Sequence, residues 1–246
     1  MQQILQLRDA PSNGALRDPR LAEGVLANLP LFRDTAQRQI AELAARARTV
    51  RYRRGAVVCP QGECSPGLHA VAFGQVKLAF RGGDEEERVM RIVAPAETFG
   101  LAVSVLGRPS PYEAVTLDDS LVVIVPSAAI LGLVENDPRF ARTVIQALAE
   151  RTMMLLAEVE AGALRRGVQR LASYLDSLAA TGGGNGSCTV RLPTTKTVVA
   201  SRLGVKKETL SRLLRELAEK RLISVEQREI AILDRLRLAA VAREET

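Results

Sequence analysis

Apolar residues first recur at helical spacing between Leu21 and about Arg48. Leu26, Leu29, Leu31 and Phe32 are followed by Ile40, Leu43 and Ala44 on one stripe. Asp34 or Thr35 stands where a cap for the second of these helices is expected. From Thr49 to about Val125 the period drops to two. Val50/Tyr52, Val57/Val58, Leu68/Ala70/Ala72, Val76/Leu78/Phe80, Val89/Arg91/Val93, Ala114/Thr116 and Leu121/Val123/Val125 read as short strands. Glycine or proline punctuates nearly every gap, from Gly55 and Pro60 through Gly100 to Gly107. Closely spaced strands with such turns predict a small antiparallel β-roll, cupin-like in outline, within an α+β chain. Such a roll holds one small ligand or fills with its own side chains.

Beyond Pro126 the spacing is helical again. Asp137-Pro138 predicts a cap with proline in the first turn. Ile145, Leu148, Thr152, Leu155, Val159 and Gly162 then follow at alternating intervals of three and four, a heptad seam. Val144, Met153, Met154 and Leu156 give the same helix a second apolar face for its own roll. Both faces apolar predicts a helix that also packs on a second copy, so homodimerisation is expected. Gly162 and Gly167 bracket an expected hinge. Val168–Ala180 follows as a helix with Leu171, Tyr174, Leu175 and Leu178 inward, then a glycine-rich loop, Thr181–Ser187, and a strand, Cys188–Leu192.

The strongest local pattern begins at Lys196. Val199, Ala200 and Leu203 share one helical face; Leu210, Leu213, Leu214 and Leu217 share another. Gly204-Val205 between them suits a tight turn, and Thr194 or Thr195 can cap the first helix. This is helix-turn-helix grammar, although a helical hairpin in a core would share it. What separates the two is the opposite face of the second helix: Lys207, Glu208, Ser211, Arg212 and Arg215, chemistry suited to base edges and phosphates. Leu222–Val225 and Ile230–Leu233 around Glu226-Gln227-Arg228-Glu229 predict a two-stranded wing, and Arg235–Arg243 a closing helix. The expected organisation is a loose arm (1–20), a sensor roll (21–136), a dimerisation helix (137–164) and a winged helix-turn-helix (165–246).

Charge sharpens this picture. The net charge is +6 over 246 residues, yet from residue 165 onward there are 16 Lys/Arg against 9 Asp/Glu, and before it 18 against 19. The basic excess therefore belongs to the helix-turn-helix region, as expected for a double-stranded DNA partner. Aromatic residues make up 3% with no Trp, which disfavours binding single strands by stacking. Three cysteines argue against a disulfide framework. With no signal-peptide run and no membrane span, the expectation is a cytoplasmic protein with no membrane partner. An enzyme with an appended winged helix finds no catalytic constellation.

Roll, long helix and winged helix-turn-helix in that order resemble the CRP/FNR superfamily of bacterial transcription regulators. Arg54-Gly55, Gln61-Gly62-Glu63 and Phe73-Gly74-Gln75-Val76-Lys77-Leu78 look like its roll signature. Glu208-Thr209-Leu210-Ser211-Arg212 matches the FNR-branch reading motif, and Arg228–Arg235 looks like the nitric-oxide-responsive nitrate-respiration group. The resemblance implies that Glu208, Ser211 and Arg212 read a palindromic TTGA-type site and that RNA polymerase is a partner. Lys196, Arg202 and Arg215 are expected phosphate anchors, and Lys207 an added basic contact. Lys206 departs from the pattern where a capping Ser or Thr is expected.

The resemblance places a small effector in the roll, around Gly100, Leu101, Tyr112 and Glu113 with Leu155 and Val159 of the long helix. Cyclic AMP is disfavoured. Leu101 follows Phe99-Gly100 where cyclic-AMP-binding relatives carry Glu, and Tyr112-Glu113 replaces their Arg-Ser. An iron–sulfur cluster needs about four thiolates, and the N-terminal arm has none. Haem, as a route to nitric oxide, is left to the one histidine, His69, which more simply reads as a hydrogen-bonded core residue. Cys59 and Cys64 read as a redox pair across a turn or, in preference, as two buried inert thiols. A thiol-responsive or ligand-independent regulator with a filled pocket is the alternative.

Overall fold

The computed structural model describes residues 15–16, 18–82, 87–164, 166–181 and 188–243. The chain divides into two compact units, Met1–Arg151 and Thr152–Thr246.

In the first unit, strand β1 (Ala15–Leu16) pairs antiparallel with β2 (Arg48–Tyr52). The expected loose arm thus contains a short strand, and its last residues already belong to helix α1 (Pro19–Ala27). Asp18 caps α1, accepting from the amide of Leu21 at 3.0 Å. A 3-10 turn (Pro30–Phe32) leads to α2 (Gln37–Arg46). Neither Asp34 nor Thr35 caps α2. Ala36 occupies the position, and its amide donates to the Gln39 side chain at 3.2 Å.

The roll comprises β2, β3 (Val57–Cys59), β4 (Gly67–Phe73), β5 (Val76–Arg81), β6 (Glu87–Val93), β7 (Thr98–Phe99), β8 (Glu113–Thr116) and β9 (Ser120–Pro126). They form two antiparallel sheets, ordered β1-β2-β9-β4-β7 and β3-β8-β5-β6. Period two explains both cores. Val71, Val122 and Ile124 face inward with Cys59, Val76, Leu78, Val93, Phe99 and Ala114. Leu68, Ala70, Val123 and Val125 face outward onto α1, α2, α4 (Ser127–Asn136) and Phe140 and Val144 of α5. One short helix was not expected: α3 (Leu101–Leu106), held between Gly100 and Gly107.

Helix α5 runs Pro138–Leu164. Asp137 caps it as expected, accepting from the amides of Arg139 (2.9 Å) and Phe140 (3.3 Å). Its start packs on the roll, with Phe140 stacked on Phe32 at 5.5 Å between centroids. Past Val144, Ala147 and Leu148 still pack half-buried against the same core, so Leu148 of the expected seam faces that core, while other apolar side chains are exposed. Ile145 is 68% exposed, Met153 66%, Met154 57%, Leu156 57% and Val159 68%. Of the four residues expected on the second apolar face, Val144 is buried and Met153, Met154 and Leu156 are exposed. Gly162 lies inside α5 rather than at its end.

In the second unit, α6 (Gly167–Thr181), α7 (Lys196–Arg202), α8 (Lys207–Glu219) and α9 (Arg235–Arg243) enclose one core with a sheet ordered β10-β12-β11. Those strands are β10 (Cys188–Arg191), β11 (Ile223–Glu226) and β12 (Glu229–Ile232), the last two forming the wing. Leu171, Leu175, Val199, Ala200, Leu210, Leu214 and Leu217 meet in this core. Most of the glycine-rich loop, 182–187, lies outside the described residues.

Candidate functional site

The turn between α7 and α8 is built as its sequence requires. Gly204 takes φ +65°, a left-handed conformation that costs glycine no Cβ clash. Its amide donates to Ser201 and that of Val205 to Ala200, so the chain reverses immediately after α7. Thr195 caps α7 through a long 3.5 Å contact from the Val198 amide. Helix α8 begins at Lys206 with no side-chain cap, and its first turn carries Glu208, whose carboxylate suits the positive end of the helix dipole.

Helix α8 separates its chemistry cleanly. Leu210, Leu213, Leu214 and Leu217 are buried, while Lys206, Lys207, Glu208, Ser211, Arg212 and Arg215 are exposed. The Ser211 hydroxyl donates to the Lys207 carbonyl at 3.1 Å. Lys196 starts α7 and is half-buried. Arg202, at the end of α7, is placed differently from the other cations. Its Nη2 lies 4.0 Å from Glu158 Oε1, and its guanidinium stands 5.9 Å from the centre of the Tyr174 ring. Burial pushes the Tyr174 phenol up, and Arg202 opposes that shift.

The roll interior brings together residues that sequence spacing keeps apart. Register sets Arg48, Ile124, His69 and Phe99 in one row across β2, β9, β4 and β7. His69 is fully buried and stacks on Phe99, centroids 4.5 Å apart. Neither ring nitrogen makes a hydrogen bond of ordinary geometry, but the Gly67 carbonyl stands close enough to act on the ring. Burial pushes its pKa down from 6.5 to about 4; the Gly67 carbonyl opposes this and Arg48 adds to it. Gly100 (φ +85°) lies against this ring, where a Cβ would stand 3.0 Å from the Gly67 oxygen and 3.3 Å from His69 Nδ1. A ligating histidine needs a ring nitrogen open to the iron and room for a macrocycle. Sealed and stacked in this way, His69 does not fit haem.

Cys59 is buried and Cys64 exposed, both free, so the expectation of two buried thiols holds only for Cys59. Burial pushes the Cys59 thiol up, opposed by the Ser110 and Ser65 hydroxyls and aided by Glu63. That makes it a poor thiolate. Glu113 is buried and ion-paired, its Oε2 2.6 Å from Arg81 Nη2. Leu101 packs with the outward core beneath α1 and α2. Tyr112 is half-buried, its phenol pushed up by burial and by Cys59, and lowered by the Gly100 backbone. Leu155 and Val159 are exposed on α5 and belong to the second unit. Sequence reasoning missed Ser65, Ser110 and Phe99 as neighbours of the roll's cysteine and histidine. It also missed Arg81 as the partner of Glu113, although Ala79↔Glu113 pairing places Arg81 only two residues beyond. Among the described residues no group of three or more His, Cys, Asp or Glu gathers as a metal site, and no helix is long and apolar enough to cross a membrane.

Residues 49–137 match the cyclic nucleotide-binding domain and residues 169–241 the Crp-like helix-turn-helix domain. The chain is 25% identical over 221 residues to a CRP-like cAMP-activated global transcriptional regulator of Mycobacterium tuberculosis, covering 89% of this chain and 99% of that one. The chain belongs to the CRP/FNR family of transcription regulators. It is thus a DNA-binding regulator with an effector-binding domain, not an enzyme. Transcriptional activator protein Anr of Pseudomonas protegens is also 25% identical, over 209 residues, with 82% of each chain covered. Two differently named CRP/FNR relatives at equal identity leave the branch open. The solved structure of FixK2 from Bradyrhizobium japonicum superposes with a TM-score of 0.73 at 20% identity, covering 81% of this chain and 99% of that one. That likeness concerns the fold alone.

Proposed function

We propose that this CRP/FNR regulator acts as a cytoplasmic homodimer that reads a palindromic TTGA-type site. It stands closest to the FNR branch through Glu208-Thr209-Leu210-Ser211-Arg212 and to the nitric-oxide-responsive group through Arg228–Arg235. The observation that carries this is the polarity of α8: leucines hold it to its own domain while Glu208, Ser211 and Arg212 stand exposed together. Arginine donates bidentately to guanine O6/N7, a carboxylate accepts from cytosine N4, and serine serves thymine O4 or a phosphate. Lys207, Lys196 and Arg215 anchor phosphates on either side, and Arg202 joins them on DNA. The exposed stripe of Ile145, Leu155, Leu156 and Val159 supports a second copy against α5, which would set two α8 helices one DNA turn apart. Roll at 21–136, dimer helix at 137–164 and winged helix at 165–246 remain the working domain bounds. RNA polymerase is the expected downstream partner.

The gate is a small effector or gas in the roll. Haem at His69 is disfavoured by the sealed, stacked ring. Glu113 already holds Arg81, so a cyclic phosphate would meet a buried carboxylate there. These observations favour a second reading, a pocket filled by its own side chains with no ligand at all. The thiol-responsive alternative is weakened by the raised Cys59 thiol.

Fluorescence anisotropy on a TTGA-N6-TCAA duplex and a scrambled duplex tests the DNA reading. Arg212→Ala should lose about 1–3 kcal/mol, mainly at one base pair. Lys207→Ala should weaken both duplexes alike and flatten the salt slope. An Arg212→Ala protein that still separates the two duplexes as well as the parent overturns the assignment. The visible spectrum of protein from its native cell tests the effector: a Soret band restores haem.

A further inference from the structure

Among the described residues Arg202 is an expected phosphate anchor that already faces an intrachain carboxylate. Three elements converge on its side chain: α7, which carries it; α6, through the Tyr174 face; and α5, through Glu158. Both charged groups are only partly exposed, 27% for Arg202 and 42% for Glu158. The guanidinium thus has both a cation–π contact with the ring face and an ion pair with the carboxylate. A DNA phosphate at Arg202 would therefore replace an anion already present, and the contact would be an exchange rather than a gain.

The surroundings decide which partner can move. Arg170 Nε on α6 donates to the Leu203 carbonyl at the end of α7, 3.1 Å away. The start of α6 closes on α8, where a Cβ at Gly167 would stand 3.1 Å from Leu213 Cδ1. Helices α6, α7 and α8 are thus fastened to one another and share one core. Glu158 belongs to α5 instead, beside Val159 on the exposed apolar stripe.

We propose that Glu158 serves as an intrachain stand-in for a DNA phosphate at Arg202, an autoinhibitory contact that must open before α7 engages DNA. Packing a second copy or an effector against the Leu155–Val159 stretch turns or shifts α5 locally. Such a movement carries Glu158 away while the α6–α8 body keeps Arg202 in place. The contact converts a change on the stripe into one more cation for DNA, and it rests on the reading that the helix-turn-helix binds double-stranded DNA.

The test uses the full chain on the TTGA-N6-TCAA and scrambled duplexes. Glu158→Gln keeps size and hydrogen bonding while removing the charge. It should tighten binding to both duplexes by about two- to fivefold, the range set by a partly exposed ion pair. The gain should vanish in the Glu158→Gln/Arg202→Gln double variant, and Arg202→Gln alone should cost less in the parent than in the Glu158→Gln background. Thermal unfolding of Glu158→Gln should match the parent. Unchanged or weaker DNA binding by Glu158→Gln, with discrimination between the duplexes intact, overturns the proposal. So does a gain that survives in the double variant. A parent that binds neither duplex defeats the DNA-binding reading itself, and the proposal with it.

Discussion

The hydroxyl of Ser211 donates to the Lys207 carbonyl one turn earlier in α8, 3.1 Å away. Its proton is thus engaged within the helix, and its lone pairs remain open to an incoming donor. To donate to thymine O4 the hydroxyl must rotate off Lys207. To accept from an amino group it need not move. Ser211→Ala removes both options and also a back-bond that slightly disfavours straight helix. Stability should stay within about 0.5 kcal/mol of the parent, while affinity for the TTGA site falls by about 1 kcal/mol. Paired melting curves and anisotropy titrations check this; equal losses in both would make Ser211 structural.

Lys206 has the backbone of a helix cap, φ −72° and ψ 155°, without a capping side chain. Lys206→Ser supplies an oxygen for the free amides of the first turn. It should raise stability of the helix-turn-helix by about 0.5–2 kcal/mol. Removing a cation beside the reading face should at the same time weaken DNA binding and lower its salt dependence. Chemical denaturation read beside salt titrations would show the two quantities moving in opposite directions.

Which parts of this molecule could be read from sequence follows from the range of the forces involved. Strands β2 to β6, β8, β9 and the helix-turn-helix are written locally, in period-two alternation, glycine turns and the 3–4 spacing of leucines, whereas the two-residue β7 shows no such alternation. Helix α3 escaped because Leu-Ala-Val-Ser-Val-Leu shows no periodicity over six residues, and the glycines beside it read only as turns. The cap at Ala36 escaped for a similar reason: the bond comes from Gln39, three residues on. The face of α8 was legible residue by residue, since a helix displays its own sides. The roll interior was not. His69 meets Phe99, and Cys59 meets Ser110, only after strands from distant parts of the chain have paired. Both apolar faces of α5 were visible in sequence, but not which residues are covered: Met153, Met154 and Leu156 look as apolar as Val144, and only burial separates them.

Ile145 opens the expected dimer seam and is 68% exposed. Burying it against a second copy should contribute about 1.5–3 kcal/mol per chain. Ile145→Glu forfeits that contribution and sets like charges opposite each other across a two-fold seam. The variant should shift from dimer to monomer by light scattering at micromolar concentration, and bind a palindrome no better than a single half-site. Ile145 is remote in sequence from Glu158, so the Arg202 contact is not directly altered. A variant that remains fully dimeric would place the interface elsewhere.

His69 stacks on Phe99 with rings 14° from parallel and stays neutral because burial lowers its pKa from 6.5 to about 4. In the unfolded chain the same imidazole takes a proton near pH 6.5. Between these two values the unfolded state therefore binds more protons than the folded one, and stability rises with pH. Its contribution is fully present above pH 6.5 and is progressively lost as pH falls toward 4, by about 3 kcal/mol at most. Denaturation midpoints of the parent should fall steeply across that window. His69→Phe keeps a ring for the stack and has nothing to protonate, so its midpoints should fall less. The two curves should converge above pH 7 to within the cost of repacking one ring. Parallel curves from pH 7 to 4 would mean that His69 takes up its proton within the fold, and that the roll interior is open to water at this point.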